Sequence, residues 1–508
     1  MKGKGIKMNE EYKKLEVYIE KSMAYRQALA LFEWDAQTIA PDIAMENTAK
    51  TIGILSNEYF KNMVNDEVKQ LIYHLSDPKN QEELDFNQKA IVKYLKKDFD
   101  RLEPIPAEEY QAYSELSAKA MGVWVKAKNN RCFSDFEATL EEIVGYQKKF
   151  AGYRAKEGQK LYDVHLSDYE EGFDMEKLDL FFEQVKAAII PLVKQVKEKN
   201  NLIDKSFNSL EYDIAKQKEF CDFIAEYVGF DKKKGVIAES EHPFTMEMHN
   251  KDVRITNHFQ KNNLESGIFS IIHESGHAIY EMDIDDAITQ TPVGCGTSMG
   301  MHESQSRFYE NIIGRSEAFW VPVYSKLVET FPQQLEEISL KDFVKSLNKS
   351  EPGLIRTEAD ELTYSLHVMI RYEIEKMIFA GELAISDLPK VWNEKYQEYL
   401  GLTPANDAEG VLQDMHWAAG NFGYFPSYAL GSAISAQIYY FMLEKMPFEK
   451  YLSEGNLSPI QEFLRQNIHK YGATKITGDI LFEMMNEGLN AEYFIRYLTE
   501  KYTKLYNL

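Results

Sequence analysis

The stretch LESGIFSIIHESGHAI, residues 264–279, decides how the rest of the chain is read. Leu264, Ile268, Ile271, Ile272 and Ile279 recur at helical spacing and draw one apolar stripe. On that helix His273 and His277 stand at i and i+4, so both imidazoles share a face and can bind one metal ion together. Glu274 reaches the open side of such a metal. Zinc lowers the pKa of a bound water to about 7, and a carboxylate in this place can take the proton.

A catalytic zinc takes three protein ligands and leaves one position open. The expected third is Glu303, in Met301-His302-Glu303-Ser304-Gln305-Ser306-Arg307, which follows His277 by 26 positions. It falls on the next helical segment, where an antiparallel neighbour can return a carboxylate to the metal. The competing reading makes Glu303 an exposed helix acid. His302 is a rival ligand, but it faces a different side of its helix. Ligands need partners behind them, and Asp360, Asp414 and several glutamates are equally eligible.

Working outward, the 508 residues suffice for two or three average domains or one large helical one. A hydrophobic content of 44%, with 13% aromatic, excludes disorder. The net charge of −23 argues against a general nucleic-acid binder, which needs basic patches. Cys132, Cys221 and Cys295 are widely spaced and odd in number. They form no disulfide framework and no cysteine zinc cluster, and they suit a reducing compartment. The lysines near the N-terminus precede no apolar core of a signal peptide, so a cytoplasmic location is expected. Met415 to Leu443 carries no charge until its end, yet glycines, Pro426, Asn421 and Gln437 interrupt it. It reads as buried wall near a site rather than as a membrane span.

The first 230 residues read as long helices, with Tyr12, Leu15, Ile19 and Met23 on one face. Ser134-Asp135-Phe136-Glu137 carries a capping-box pattern ahead of Phe136, Leu140 and Ile143. Pro104-Ile105-Pro106 ends one helix and opens the next. Without linkers or repeats, the expectation is one mostly α-helical body. It comprises a helical N-terminal region, 1–230, and a catalytic region, 231–508, with the zinc motif. The exception is Gly235 to Phe259. Phe244 to Met248 alternates, Asn250-Lys251-Asp252 can turn, and Val253 to Thr256 alternates again, which predicts a small hairpin before the metal helix. Its edge could hold an extended peptide, or it could be a connector.

Eight of the eleven histidines lie between His242 and His416, so chemistry concentrates there. Peptide hydrolysis needs a donor for the tetrahedral oxyanion. His416 offers one, and so do the phenols of Gly423-Tyr424-Phe425-Pro426-Ser427-Tyr428; the bland reading of all three is core packing. Arg356 stands in Ile355-Arg356-Thr357-Glu358-Ala359-Asp360-Glu361. A guanidinium there can pair with a substrate carboxylate, or with one of the neighbouring acids.

Together the motifs resemble the thermostable metallocarboxypeptidases of the carboxypeptidase Taq family. His242-Pro243-Phe244, Asp252-Val253-Arg254-Ile255-Thr256 and His273-Glu274-Ser275-Gly276-His277 follow that family's order. So do His302-Glu303-Ser304-Gln305, Ile355-Arg356-Thr357-Glu358-Ala359-Asp360 and Gly410-Val411-Leu412-Gln413-Asp414-Met415-His416-Trp417. Leu31-Phe32-Glu33-Trp34-Asp35 and Asp168-Tyr169-Glu170 look like its N-terminal and mid-chain elements. After Asp35 the chain departs from the family's usual Gln-Glu-Thr, and around Val164-His165-Leu166-Ser167 it drifts from the usual leucines.

The resemblance implies a single large helical body with a deep active-site groove and a small β-sheet, similar to neurolysin and angiotensin-converting enzyme. It implies a homodimer that removes single residues from peptide C-termini with broad specificity, using Zn2+ or alternatively Co2+. The ligands would be His273, His277 and Glu303, with Glu274 as general base and later acid. Arg356 would anchor the substrate carboxylate, His416 and Tyr428 would face the scissile carbonyl, Tyr424 would assist, and His242 would line the pocket. The nearest rival is an oligoendopeptidase or dipeptidyl carboxypeptidase with the same metal site. A binding protein with a structural zinc is disfavoured, since such sites are closed and cysteine-rich.

Overall fold

The computed structural model describes residues 2–508. Two apolar cores organise it. The smaller is built on α1 (Lys2–Thr38), whose Tyr12, Leu15 and Ile19 are buried against Val68, Ile72, Ile91 and Leu95 from the following helices. Ile284, Ile288 and Val293 cap that core from far along the chain. The larger core draws on residues from Ala120 to Tyr506 and so crosses the boundary near residue 230. No helix among the described residues is long and apolar enough to cross a membrane.

The region Gly235 to Phe259 holds three strands, β1 (Gly235–Glu239), β2 (Thr245–His249) and β3 (Asp252–Asn257), in the order β1-β3-β2. The expected hairpin is present: β2 pairs antiparallel with β3, with Thr245 opposite Ile255 and a bulge between Glu247 and His249. Asn250 secures the turn by donating from Nδ2 to the Ile284 carbonyl at 2.8 Å and to Asp286 at 2.7 Å. β1 is an addition to that expectation. It pairs parallel with β3, from Gly235 opposite Val253 to Glu239 opposite Asn257, which local alternation does not reveal. Beyond β2, Phe244 meets Trp34 of α1 edge to face at 5.6 Å.

The metal-motif helix is α2 (Leu264–Met282). Asn263 caps it by accepting from the Ser266 N–H, and all five residues of the apolar stripe are buried. Each such side chain contributes about 1.5–3 kcal/mol on burial. Next comes α3 (Met299–Arg307), capped by Ser298 and continued by a π-helical turn, Phe308–Ile313. Gly276 lets α2 and α3 touch backbone to backbone: a Cβ there would lie 2.8 Å from the Gln305 carbonyl oxygen. The other side of the site comes from α4 (Tyr364–Ala380), the irregular segment 402–425 and α5 (Pro426–Lys445). Gly431 of α5 approaches Glu303 so closely that a Cβ would meet its Cγ at 2.5 Å.

Pro104-Ile105-Pro106 separates helices Phe86–Leu102 and Ala107–Asn130 as expected. The capping box at Ser134 does not form. Ser134 is already the first helical residue, and no side chain caps from Phe133. Instead the Phe133 N–H donates to the distant Asp407 carboxylate at 2.8 Å, a tertiary contact replacing the local one.

Candidate active site

His273, His277 and Glu303 converge: one ligand atom from each lies within 4.8 Å of the others. Glu303 Oε2 sits 3.8 Å from His273 Nε2 and 3.7 Å from His277 Nε2. Donors about 2.1 Å from a tetrahedral ion stand about 3.4 Å apart, so one divalent cation fits this triangle. The two-nitrogen, one-oxygen donor set is also that of open catalytic zinc sites. Solvent reaches the histidines, whose side chains are 19% and 15% exposed.

Each histidine is gripped through its other nitrogen. His273 Nδ1 hydrogen-bonds to Glu310 Oε2 at 2.8 Å. His277 Nδ1 lies 2.5 Å from His302 Nδ1, and His302 Nε2 lies 2.7 Å from Glu281 Oε1. His302, the rival ligand, thus stands behind His277 rather than beside the triangle. Burial pushes His277 well below the usual imidazole range, which favours its neutral form. Burial would raise Glu310, but Arg307, His273 and Arg315 outweigh it and hold that carboxylate well below the ordinary range. Arg307 also donates to Glu303 Oε1 at 2.7 Å, which leaves Oε2 turned to the histidines.

Glu274 is 7% exposed, and burial pushes its carboxyl above the ordinary range. The Thr245 hydroxyl donates to its Oε2 at 2.6 Å, so the hairpin is tied directly to the site. Thr245 was not among the predicted residues, although the alternating run containing it was.

On the facing side, His416 Nε2 pairs with the Tyr428 hydroxyl at 3.1 Å. Burial pushes His416 down to about 4, so its ring is neutral at ordinary pH. Tyr424 and Tyr428 meet edge to face at 5.1 Å, and both are influenced by the charge on Glu303. Arg356 is buried, and its partner is neither Glu358, Asp360 nor Glu361. Its Nε and Nη2 donate to Asp414 Oδ1 at 3.0 and 2.9 Å, while Nη1 donates to the Tyr364 hydroxyl at 3.1 Å. Arg371 takes the other Asp414 oxygen at 2.6 Å. Asp414 is therefore not a partner of the metal histidines. Asp360 is not one either: it accepts from the N–H groups of Glu351, Leu362 and Thr363. Tyr364 joins the two sides, with the Arg307 guanidinium 4.4 Å from its ring centre. His242 is exposed in the β1–β2 connection and, among the described residues, makes no side-chain hydrogen bond to the triad.

Glu310, Glu281 and Tyr364 were not singled out from sequence. Glu310 left a signal, since Glu303, Arg307 and Glu310 recur at i, i+4 and i+7 on one helix face. A cavity of about 760 Å³ bordered by Lys160, Phe182, Glu373 and Lys395 includes none of the predicted residues.

Comparison with known proteins finds relatives over nearly the whole chain. The family model described as "Carboxypeptidase Taq (M32) metallopeptidase" matches residues 14–502. Carboxypeptidase 1 of Bacillus subtilis (strain 168) is 44% identical over 95% of this chain and 96% of its own. Thermostable carboxypeptidase 1 of Pyrococcus furiosus is 32% identical, over 97% and 99%. The solved M32 carboxypeptidase from Deinococcus radiodurans R1 superposes with a TM-score of 0.94 at 30% identity, covering 98% of this chain and 100% of that one.

Proposed function

The chain belongs to the carboxypeptidase Taq (M32) metallopeptidase family and is a metallocarboxypeptidase; from that premise we propose that it is a zinc enzyme releasing single residues from peptide C-termini with broad specificity. The observation carrying the proposal is the triangle of His273, His277 and Glu303 with the buried Glu274 alongside. These three residues would hold the ion, which when bound supplies positive charge to activate water and polarise the scissile carbonyl; cobalt can serve in its place.

The remaining steps belong to side chains. Glu274 accepts the water's proton and later passes it to the leaving amine. Its burial favours the protonated form it must hold between those steps, and Thr245 fixes Oε2 so that Oε1 is left for the proton. Tyr428, paired with His416, donates to the developing oxyanion, and Tyr424 assists. Arg356 receives the substrate carboxylate on its Nη1 edge, beside the Tyr364 hydroxyl, while Asp414 holds the other edge in place. His242 lines the approach. The three free thiols suit a reducing cytoplasm, and a homodimer of single 508-residue domains follows from the family resemblance.

Mass spectrometry of one unblocked peptide and its C-terminal amide, each incubated with zinc-loaded protein, tests the proposal. The expected result is a ladder of single losses from the free peptide, with the amide spared. Internal cuts or two-residue losses from both would overturn it in favour of an endopeptidase or dipeptidyl carboxypeptidase.

A further inference from the structure

The two metal-site histidines are supported differently. His273 leans on a carboxylate directly, and Glu310 is itself held by Arg307 at 3.1 Å and by Arg315 at 3.3 Å. His277 leans on a second imidazole, and only behind that does a carboxylate stand.

The direction of hydrogen bonding through that chain can be worked out from its far end. Glu281 Oε1 is 3% exposed by residue and accepts from the Gly296 N–H at 2.9 Å, so it is fixed as an acceptor. It therefore takes a proton from His302 Nε2. When His277 presents its Nε2 lone pair to an ion, its one proton sits on Nδ1, so the Nδ1 of His302 2.5 Å away must accept it. The hydrogen between the two rings then belongs to His277 Nδ1, which leaves the Nε2 lone pair of His277 directed at Glu303 Oε2 and the ion's place.

We propose that His302 and Glu281 are positioning residues that fix the Nδ1–H tautomer of His277 and so set the metal affinity of the site. Packing holds the relay in line: the His302 ring lies 4.5 Å from that of His277 and 5.4 Å from that of the buried Tyr280. A Cβ at Gly296 would fall 2.5 Å from the His302 ring, so glycine in the turn before α3 leaves the room this imidazole occupies. His302 touches neither substrate nor ion; it acts through His277. The proposal rests on His277 being a metal ligand.

Zinc dissociation constants, measured by competition with a chromophoric chelator on the full chain, test the relay. Thermal unfolding of each metal-free variant checks that it folds. His302→Leu removes the acceptor and should weaken zinc binding about 10- to 100-fold. His302→Asn places an amide oxygen near the former Nδ1 and should recover affinity to within about threefold of the parent. Equal affinities for His302→Leu and the parent would overturn the relay, as would an equal loss in the Leu and Asn variants, which marks a packing role. His277→Ala separates the two readings. If it loses stoichiometric zinc while His302→Leu binds normally, the ligand stands and the relay alone falls. If His277→Ala binds zinc like the parent, both fall.

Discussion

On the α2–α3 side of the site, most partners are neighbours: Arg307 and Glu310 follow Glu303 on one helix face, the links to His273 and His277 cross a single helix–helix contact, and Thr245 of β2 joins from outside, at Glu274. On the facing side, partners come from far along the chain. Arg356 and Arg371 meet on Asp414, 58 and 43 positions away, and Tyr364, on the same helix as Arg371, bridges to Arg307. The first side aims its free donor atoms at one point. The second returns most of its hydrogen bonds to itself, Tyr428 to His416 and Arg356 to Asp414 and Tyr364. On the proposed function, one side would hold an ion and move a proton, and the other would stay rigid while it receives a peptide.

Substitutions that keep shape can break this division. Glu274→Gln removes the proton acceptor from the metal side, and turnover should fall by about 10²–10⁴ while zinc still binds. Steady-state rates on a chromogenic peptide, with zinc content read in parallel, check this; a near-normal rate would sink the assignment of Glu274. Tyr428→Phe removes one oxyanion donor from the facing side. The expected outcome is a kcat about 100-fold lower, with KM and zinc affinity nearly unchanged. If zinc affinity moved with kcat, the two sides would not be separate devices.

The same contrast explains what could be read from sequence. His273 and His277 follow from i, i+4 spacing and an apolar stripe, both local properties of residues 264–279; Glu303 was expected from the next helical segment, and the structure brings the three together. The hairpin was legible for the same reason. β1 was not, because a parallel partner 18 positions away leaves no local trace. The Ser134 capping box satisfied the local pattern but lost to Asp407, whose contact exists only in the folded chain. Arg356 was placed among three nearby acids, yet its partner is Asp414, because their backbone turns those acids elsewhere. The support behind His277 was harder still. His302 carried the chemistry of a ligand, and only the angle between α2 and α3 decides that it stands behind the triangle.

The smallest expected effect lies behind the facing side, where Glu375 of α4 is fully buried. It accepts from the Trp417 indole and the Gly423 N–H at 2.8 Å, and from the Tyr162 hydroxyl at 2.7 Å, so it pins the turn that delivers Tyr424. Burial pushes its pKa up to about 7, against the three donors that favour its charge. A carboxyl raised in the folded state stabilises the fold fully below its ordinary value near 4.5. That contribution is lost as pH rises through about 7, by at most about 1.4 kcal/mol per pH unit. Glu170, also raised to about 7, adds the same sign. Asp414 and Glu310, held low, add the opposite sign at acid pH, where their contribution is lost as pH falls. Glu375→Gln cannot ionise and leaves one donor unpaired, so its Tm should be lower at pH 5 yet fall less than the parent's between pH 5 and 7.5. An unchanged slope would mean that Glu375 does not titrate in this window. In that case the three donors win over burial, and the turn carrying Tyr424 is held by a charge rather than by a neutral acid.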